Sequence, residues 1–172
     1  MLSRVKKALK PPTSKHQHSK MEQMELLQPP VFFFAGDNEF ACFSNFYPSK
    51  IVVNEKEWLT VEHYFQAMKS TSESDQESVR AASTPGRAKR MGRSLPLRED
   101  WDKIKTEVMM KGLRAKFKLS PFRETLLKSG DRFIYEDSPY DNVWGTGVLK
   151  SEGNGQNLLG KMLMALRAEI KS

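Results

Sequence analysis

Three polar side chains fall at helical spacing in the run Thr60-Val61-Glu62-His63-Tyr64-Phe65-Gln66-Ala67-Met68-Lys69. At about 100° per residue, Glu62, Gln66 and Lys69 share one helix face, and Val61, Tyr64, Phe65 and Met68 share a core stripe roughly 110° away. A carboxylate, an amide and an ammonium are presented together beside a face that packs inward. Ionised, Glu62 can accept a proton from water or face a developing cation. The alternative is a solvated helix face with an incidental acid. Thr60 is a good N-cap, which places Glu62 in the first turn. There the helix dipole lowers its pKa and makes it a poor proton donor unless burial opposes the dipole.

Two further groups bear on chemistry. Arg87, Lys89, Arg90 and Arg93 crowd one short segment. Guanidinium groups bind oxyanions bidentately, so this is a candidate phosphate clamp, or else a solubilising basic face. The run from Glu136 through Asp137, Tyr140, Asp141 and Trp144 to Gly145 sets acids beside aromatics on a glycine-rich loop. Such a loop suits recognition of a flat base and a sugar hydroxyl, or serves turn-making alone.

Other chemistries lack their parts. His63 is the one histidine of the domain and is expected to be packed or hydrogen-bonded, since His16 and His18 lie in the N-terminal segment. With no Cys pair and no His-x-x-x-His, no ligand set for zinc is present. There is no Gly-x-Ser-x-Gly elbow and no phosphate loop of Gly-x-x-x-x-Gly-Lys spacing. Cys42 is the single cysteine, set among aromatics, and reads as a buried structural thiol in a reducing compartment.

The elements that must position these groups can be read from caps and periodicity. A buried strand opens at Val31 and runs through Phe34, followed by a turn at Gly36-Asp37-Asn38 and an aromatic loop from Phe43 to Pro48. Ile51 to Val53 is a short strand, turned by Asn54-Glu55 before Trp58. Thr60 starts a helix to about Ser70, Ser74-Asp75 a second through Ala82, and Thr84-Pro85 a third. Asp100 caps a long helix with Trp101, Ile104, Val108 and Ala115 on its apolar face. Ser120-Pro121 starts another, closed by Gly130. Arg132 to Tyr135 reads as a strand. A loop with Pro139, Gly145, Gly147, Gly153 and Gly155 leads to a last helix capped by Asn157, with Leu159, Met162, Leu163, Leu166 and Ile170 inward. The sum is an α+β fold, a mostly helical single domain with a small β-sheet. It has no βαβ alternation, which argues against a dinucleotide-binding Rossmann fold.

The 172 residues suit one domain, and their 38% hydrophobic and 28% charged content is ordinary for a globular protein. No apolar run approaches the roughly 20 residues of a membrane span. Of the net charge of +7, more than half sits in residues 1–30, where six Lys/Arg face two Glu and no aromatic occurs. That segment is expected to be a disordered basic N-terminal extension, with a mitochondrial presequence as the alternative. Residues 31–172 form the domain. It is only mildly basic, which suits a phosphorylated small molecule as well as nucleic acid.

Taken in order, the motifs resemble a known family. Phe43-Ser44-Asn45-Phe46, Glu62-His63-Tyr64-Phe65-Gln66 with Lys69, and Arg90-Met91-Gly92-Arg93 look like successive blocks of the YbiA-like NADAR family. Trp101, Val108-Met109, Leu113-Arg114-Ala115-Lys116-Phe117, Asp141, Trp144-Gly145 and Asn157-Leu158-Leu159-Gly160 continue the match over residues 31–170.

The resemblance implies an N-glycosidase that hydrolyses the bond between ribose and a nitrogenous base, without metal or organic cofactor. Two substrate classes are implied: phosphorylated ribosylamino-pyrimidines of the riboflavin pathway, and ADP-ribosyl-guanine in DNA. The family's functional glutamate falls on Glu62, with Asp141 as the second catalytic candidate. Ser44, Asn45, Phe46, Gln66, Lys69, Arg90, Arg93, Trp101, Trp144, Gly145 and Asn157 are the substrate-binding candidates. Plain core packing is the alternative for both tryptophans. Many relatives carry Trp-Gly-Asp-Gly where this chain has Trp144-Gly145-Thr146-Gly147, and basic residues where it has Gln156 and Leu158. Those departures bear on substrate choice. A monomer in the cytoplasm is expected. A non-catalytic ADP-ribose or NAD-binding module is the competing class, and a DNA contact through the basic extension would show steep salt dependence.

Overall fold

The computed structural model describes residues 28–34, 38–148 and 154–172. Residues 1–27 of the expected extension lie outside these, as do Gly36, Asp37 and Gly153. Strand β1, Val31–Phe33, buries Val31 and Phe33, the alternation a strand over a core requires. It pairs in parallel with β4, Ile134–Glu136, from Val31 opposite Ile134 to Phe33 opposite Glu136. A parallel pair demands a crossover, and most of the chain lies between these two strands. The expected strand at Arg132 starts two residues later, because the Arg132 guanidinium caps the preceding helix by donating to the carbonyls of Ser129 and Lys128.

Strands β2, Ile51–Val53, and β3, Lys56–Trp58, form an antiparallel hairpin. Asn54 and Glu55 turn it, both with left-handed φ (50° and 62°), the twist that suits a two-residue hairpin. The turn was legible in sequence, whereas β3 was not, since Lys-Glu-Trp carries little strand signal.

Helix α1 spans Val61–Ala67, with Thr60 Oγ1 accepting from the His63 N–H as its cap. It is shorter than expected, and every side chain on it is buried. Helices α2, Glu73–Arg80, and α3, Pro85–Ser94, begin at caps Ser72 and Thr84. The long helix α4, Trp101–Phe117, starts as expected, but Asp100 makes no side-chain cap, its carboxylate being held by Arg98 at 2.6 and 3.0 Å. Its buried face is Trp101, Met109, Leu113 and Phe117, while Ile104, Val108 and Ala115 pack only partly buried at the edge of that core. Helix α5, Ser120–Lys128, takes Leu119 at the cap position, so the expected Ser120 cap is displaced by one residue. Gly130 closes it with φ of 64°. Helix α6, Leu158–Lys171, buries Leu159, Leu163 and Leu166 as the spacing predicts, while Met162 and Ile170 of the same expected face are only partly buried.

Among the described residues the fold is α+β, six α-helices with strands divided between two two-stranded sheets. Phe33, Phe43, Leu113, Phe117, Leu126, Ile134, Leu159 and Leu163 are at its centre. No described helix is long and apolar enough to cross a membrane.

Candidate active site

Because α1 is enclosed on all sides, its polar face lies inside the domain. Glu62 is only 5% exposed. Its backbone N–H donates to Asn45 O at 3.1 Å, tying the aromatic loop to the helix. One turn on, Gln66 Nε2 donates to Glu62 Oε1 at 2.8 Å. Among the described residues no hydrogen bond takes the other Glu62 oxygen. Gly92 of α3 makes room for this amide: a Cβ there would lie 2.2 Å from Gln66 Oε1 and 2.8 Å from Gln66 Cβ.

The opposite wall comes from the distant C-terminal part of the chain. Glu136 ends β4, and in the loop beyond it Asp141 Oδ1 accepts the backbone N–H groups of Val143 (3.0 Å) and Trp144 (2.8 Å). That Asx turn fixes Trp144, whose ring meets Phe65 edge-on at 5.3 Å. Gly145 backs onto β4, where a Cβ would sit 2.8 Å from Ser138 Cβ and 3.0 Å from Glu136 O. Asn157 does not cap α6 with its side chain; in a left-handed conformation it instead accepts from Glu136 N at 3.0 Å and donates to Ile134 O at 2.9 Å.

These walls enclose a cleft of about 180 Å³, lined by Asn45, Phe46, Glu62, Phe65, Gln66, Lys69, Lys89, Arg93, Met109, Glu136, Asp141 and Trp144. The helix face, the basic segment and the glycine-rich loop therefore converge. Eight sequence candidates line it: Glu62, Asp141, Asn45, Phe46, Gln66, Lys69, Arg93 and Trp144. Five do not. Ser44 accepts through its carbonyl from Lys116 Nζ at 2.7 Å, behind the wall. That lysine is fully buried, with the rings of Tyr47, Phe117 and Phe122 within 5.7 Å of its Nζ. Arg90 points from the exposed side of α3. Trp101 is buried against Phe65 at 5.0 Å, the packing role weighed for it. Gly145 and Asn157 shape the loop, because one is pressed on backbone and the other is consumed by β4.

Burial pushes the Glu62 carboxyl above its ordinary value. The Gln66 amide, Lys89 and Lys69 pull it back, and the Asp141 charge adds to the rise. The expected lowering by the helix dipole is thus overturned, since enclosure of a seven-residue helix outweighs its dipole. Glu136 is pushed up to about 7, first by burial, then by Asp141, with Lys89 opposing and Glu62 adding. Burial also draws the Lys69 ammonium below its usual range, against the pull of Glu62. Among the described residues neither Lys69, Lys89 nor Arg93 closes a salt bridge. Lys89 sits over the Phe46 ring at 5.6 Å.

Three buried oxygens on the cleft walls lack a hydrogen-bond partner among the described residues: Asn45 Oδ1, Gln66 Oε1 and Glu136 Oε2. Asn45 Oδ1 and Gln66 Oε1 are acceptors, so the cleft is complementary to a ligand rich in hydroxyl or amino donors. His63 is structural. Its Nε2–H donates to Ala82 O at 3.0 Å, so Nδ1 accepts from Thr60 Oγ1 at 2.8 Å, and burial keeps the ring neutral. Cys42 is a buried free thiol, held up by burial. Among the described residues no group of three or more His, Cys, Asp or Glu is placed to hold a metal ion.

The sequence names Lys89 and Glu136 only as members of their runs. For Glu136 the signal was the two-residue period: Ile134 faces inward, so Glu136 does too.

A mostly helical α+β domain whose acidic centre is ringed by cations with no salt bridge among the described residues is the class that fold and cleft define. The chain belongs to the NADAR domain family, which matches residues 32–171. It is 40% identical over 148 residues to an N-glycosidase of Nostoc punctiforme, spanning 83% of this chain and 93% of that one. The N-glycosidase YbiA of Escherichia coli is 41% identical over 143 residues, 81% of this chain and 88% of that one. Its NMR structure superposes with a TM-score of 0.74, covering 84% of this chain and 87% of that one. A riboflavin biosynthesis protein of Vibrio vulnificus is 36% identical over 149 residues, which span 85% of this chain but 40% of that protein.

Proposed function

We propose that this protein is an N-glycosidase that hydrolyses the bond between ribose and a nitrogenous base in a phosphorylated ribosylamino-pyrimidine, with Glu62 as its central carboxylate. The observation that carries the reading is the meeting of Glu62 and Asp141 with Lys69, Lys89 and Arg93 on one cleft. Its family membership and its relatives named as N-glycosidases support the reaction class. The relative named for riboflavin biosynthesis supports the pyrimidine substrate.

Breaking a C1′–N bond leaves positive charge on the ribose ring. Gln66 holds one oxygen of Glu62 and leaves the other to activate water or face that charge. A base whose pKa is raised toward the working pH transfers protons well. The unpaired cations suit a phosphate at the cleft rim, and the unpartnered acceptors suit ribose hydroxyls and the amino groups of the base. Trp144 and Phe46 offer faces to a flat ring.

A module that only binds ADP-ribose or NAD gains nothing from a buried carboxylate held close to an anion, where its desolvation opposes binding. The test is release of free base. Incubation with a ribosylamino-pyrimidine phosphate should liberate the base and the ribose phosphate, and Glu62→Gln should slow this by roughly 10²–10⁴-fold. Undiminished turnover by Glu62→Gln would remove Glu62 from the chemistry. Tight binding with no product would favour the module, and turnover only of ADP-ribosylated guanine in DNA, freeing ADP-ribose, would move the substrate class.

A further inference from the structure

Glu136 has no part in the reaction as described so far, yet its side chain stands on the same cleft as Glu62 and Asp141. Its backbone is fixed on both sides: the N–H by Asn157 Oδ1, the carbonyl by the N–H groups of Ser138 (2.8 Å) and Thr146 (3.0 Å). The three carboxyls differ in what they receive. Glu62 accepts an amide N–H and Asp141 accepts two backbone N–H groups, whereas Glu136 Oε2 is buried with no partner among the described residues. A buried carboxylate oxygen needs donors, but a protonated one needs only an acceptor.

We propose that Glu136 is a further catalytic residue, the carboxylic acid that protonates the departing base nitrogen while Glu62 takes the proton of the attacking water. This rests on the N-glycosidase reading of the cleft. In the step, the C1′–N bond breaks with its electron pair passing to nitrogen, and the Glu136 O–H proton moves to that nitrogen. The water oxygen bonds to C1′ and gives its proton to Glu62. One proton is lost and one gained, and transfer from Glu62 to Glu136 through solvent restores the pair. The charged groups on the cleft fit the assignment. Burial first, then Asp141 from the loop, raises the Glu136 carboxyl, Lys89 of α3 opposes them and Glu62 from α1 adds to the rise; Lys69 and Arg93 share the cleft. Poising near pH 7 is what an acid working at neutral pH requires.

The experiment compares wild type, Glu136→Gln and Glu62→Gln on two substrates. One is the ribosylamino-pyrimidine phosphate. The other is a ribose phosphate bearing nitrophenolate at C1′, a group that leaves without a proton. Glu136→Gln should lose roughly 10²–10⁴-fold in kcat/KM on the pyrimidine and less than about tenfold on the nitrophenolate. It should also lack the fall in rate expected of wild type as pH rises through about 7. Equal losses on both substrates, or undiminished pyrimidine turnover, would overturn the assignment while leaving the N-glycosidase reading intact. No base release by wild type would overturn both. Infrared spectra of the ligand-free protein give a readout independent of turnover. The wild-type-minus-Glu136→Gln difference at about pH 6 should contain a neutral carboxyl band that fades through about pH 7. A difference without that band overturns the assignment whatever the kinetics.

Discussion

Asn157 accepts the Glu136 N–H at 3.0 Å and donates to Ile134 O at 2.9 Å, so one side chain at the start of α6 clamps both ends of β4. The last helix is thereby tied to the strand that presents a cleft carboxyl. Asn157→Gly keeps the left-handed backbone, with φ of 49°, and removes both bonds. Unfolding in urea should show a loss of about 1–3 kcal/mol. Steady-state assay should show kcat lower by roughly ten- to a hundredfold with little change in KM. Wild-type kcat in a destabilised variant would separate the clamp from the chemistry.

Gly92 gives a second, opposite-signed test. Glycine to alanine inside a helix ordinarily stabilises by about 1 kcal/mol. Here the added Cβ would meet Gln66 Oε1 and Cβ at 2.2 and 2.8 Å, and Gln66 is what holds Glu62. Gly92→Ala should instead cost about 1–3 kcal/mol and depress turnover. A higher melting temperature with full activity would contradict the packing described.

Proton linkage gives the third. Glu136 has a folded-state pKa of about 7 against an ordinary 4.5, so between those values the folded protein binds more protons than the unfolded chain. Its contribution to stability is therefore present at low pH and is lost as pH rises toward 7. Glu136→Gln removes that loss. The variant should gain about 1–3 kcal/mol relative to wild type on going from about pH 4.5 to about pH 8, read from urea unfolding at each pH. Parallel stability curves for the two proteins would count against a half-buried, proton-holding Glu136.

Asp141→Asn keeps an oxygen for the N–H groups of Val143 and Trp144 but removes the charge that bears on Glu136 and Glu62. Both carboxyls should then titrate lower. In kcat/KM against pH, the falling limb near 7 should move to lower pH, with a lower maximum. An unmoved limb would mean that Asp141 and Glu136 are not electrostatically coupled.

How far the sequence could be read depended on whether a signal was local. Thr60 and Thr84 declare their helix starts because an N-cap acts on the next three residues. Glu62 and Gln66 group as the spacing predicts because helix geometry fixes their side, and Lys69, two residues past the end of α1, still reaches the same cleft. What the spacing left open was whether that side met water or protein. Enclosure of α1 by α3, α4 and the loop at Asn45 is a long-range fact, and it reversed the direction of the Glu62 pKa. Asn157 departs from its expected capping role for the same reason. Its type and position suit a cap, yet its side chain is consumed by a strand more than twenty residues earlier. Trp101 and Arg90 share runs with residues that line the cleft, and only packing decides which of them turns inward.

Lys116 has a consequence for measurement. Sealed among rings beneath the Ser44 carbonyl, with burial drawing its pKa down to about 7, it is a near-neutral amine hidden from solvent. An acylating reagent that decorates the surface lysines within minutes should reach this nitrogen only when the interior opens. Its slow tagging, followed by peptide mass, would clock the opening of the whole domain without any denaturant.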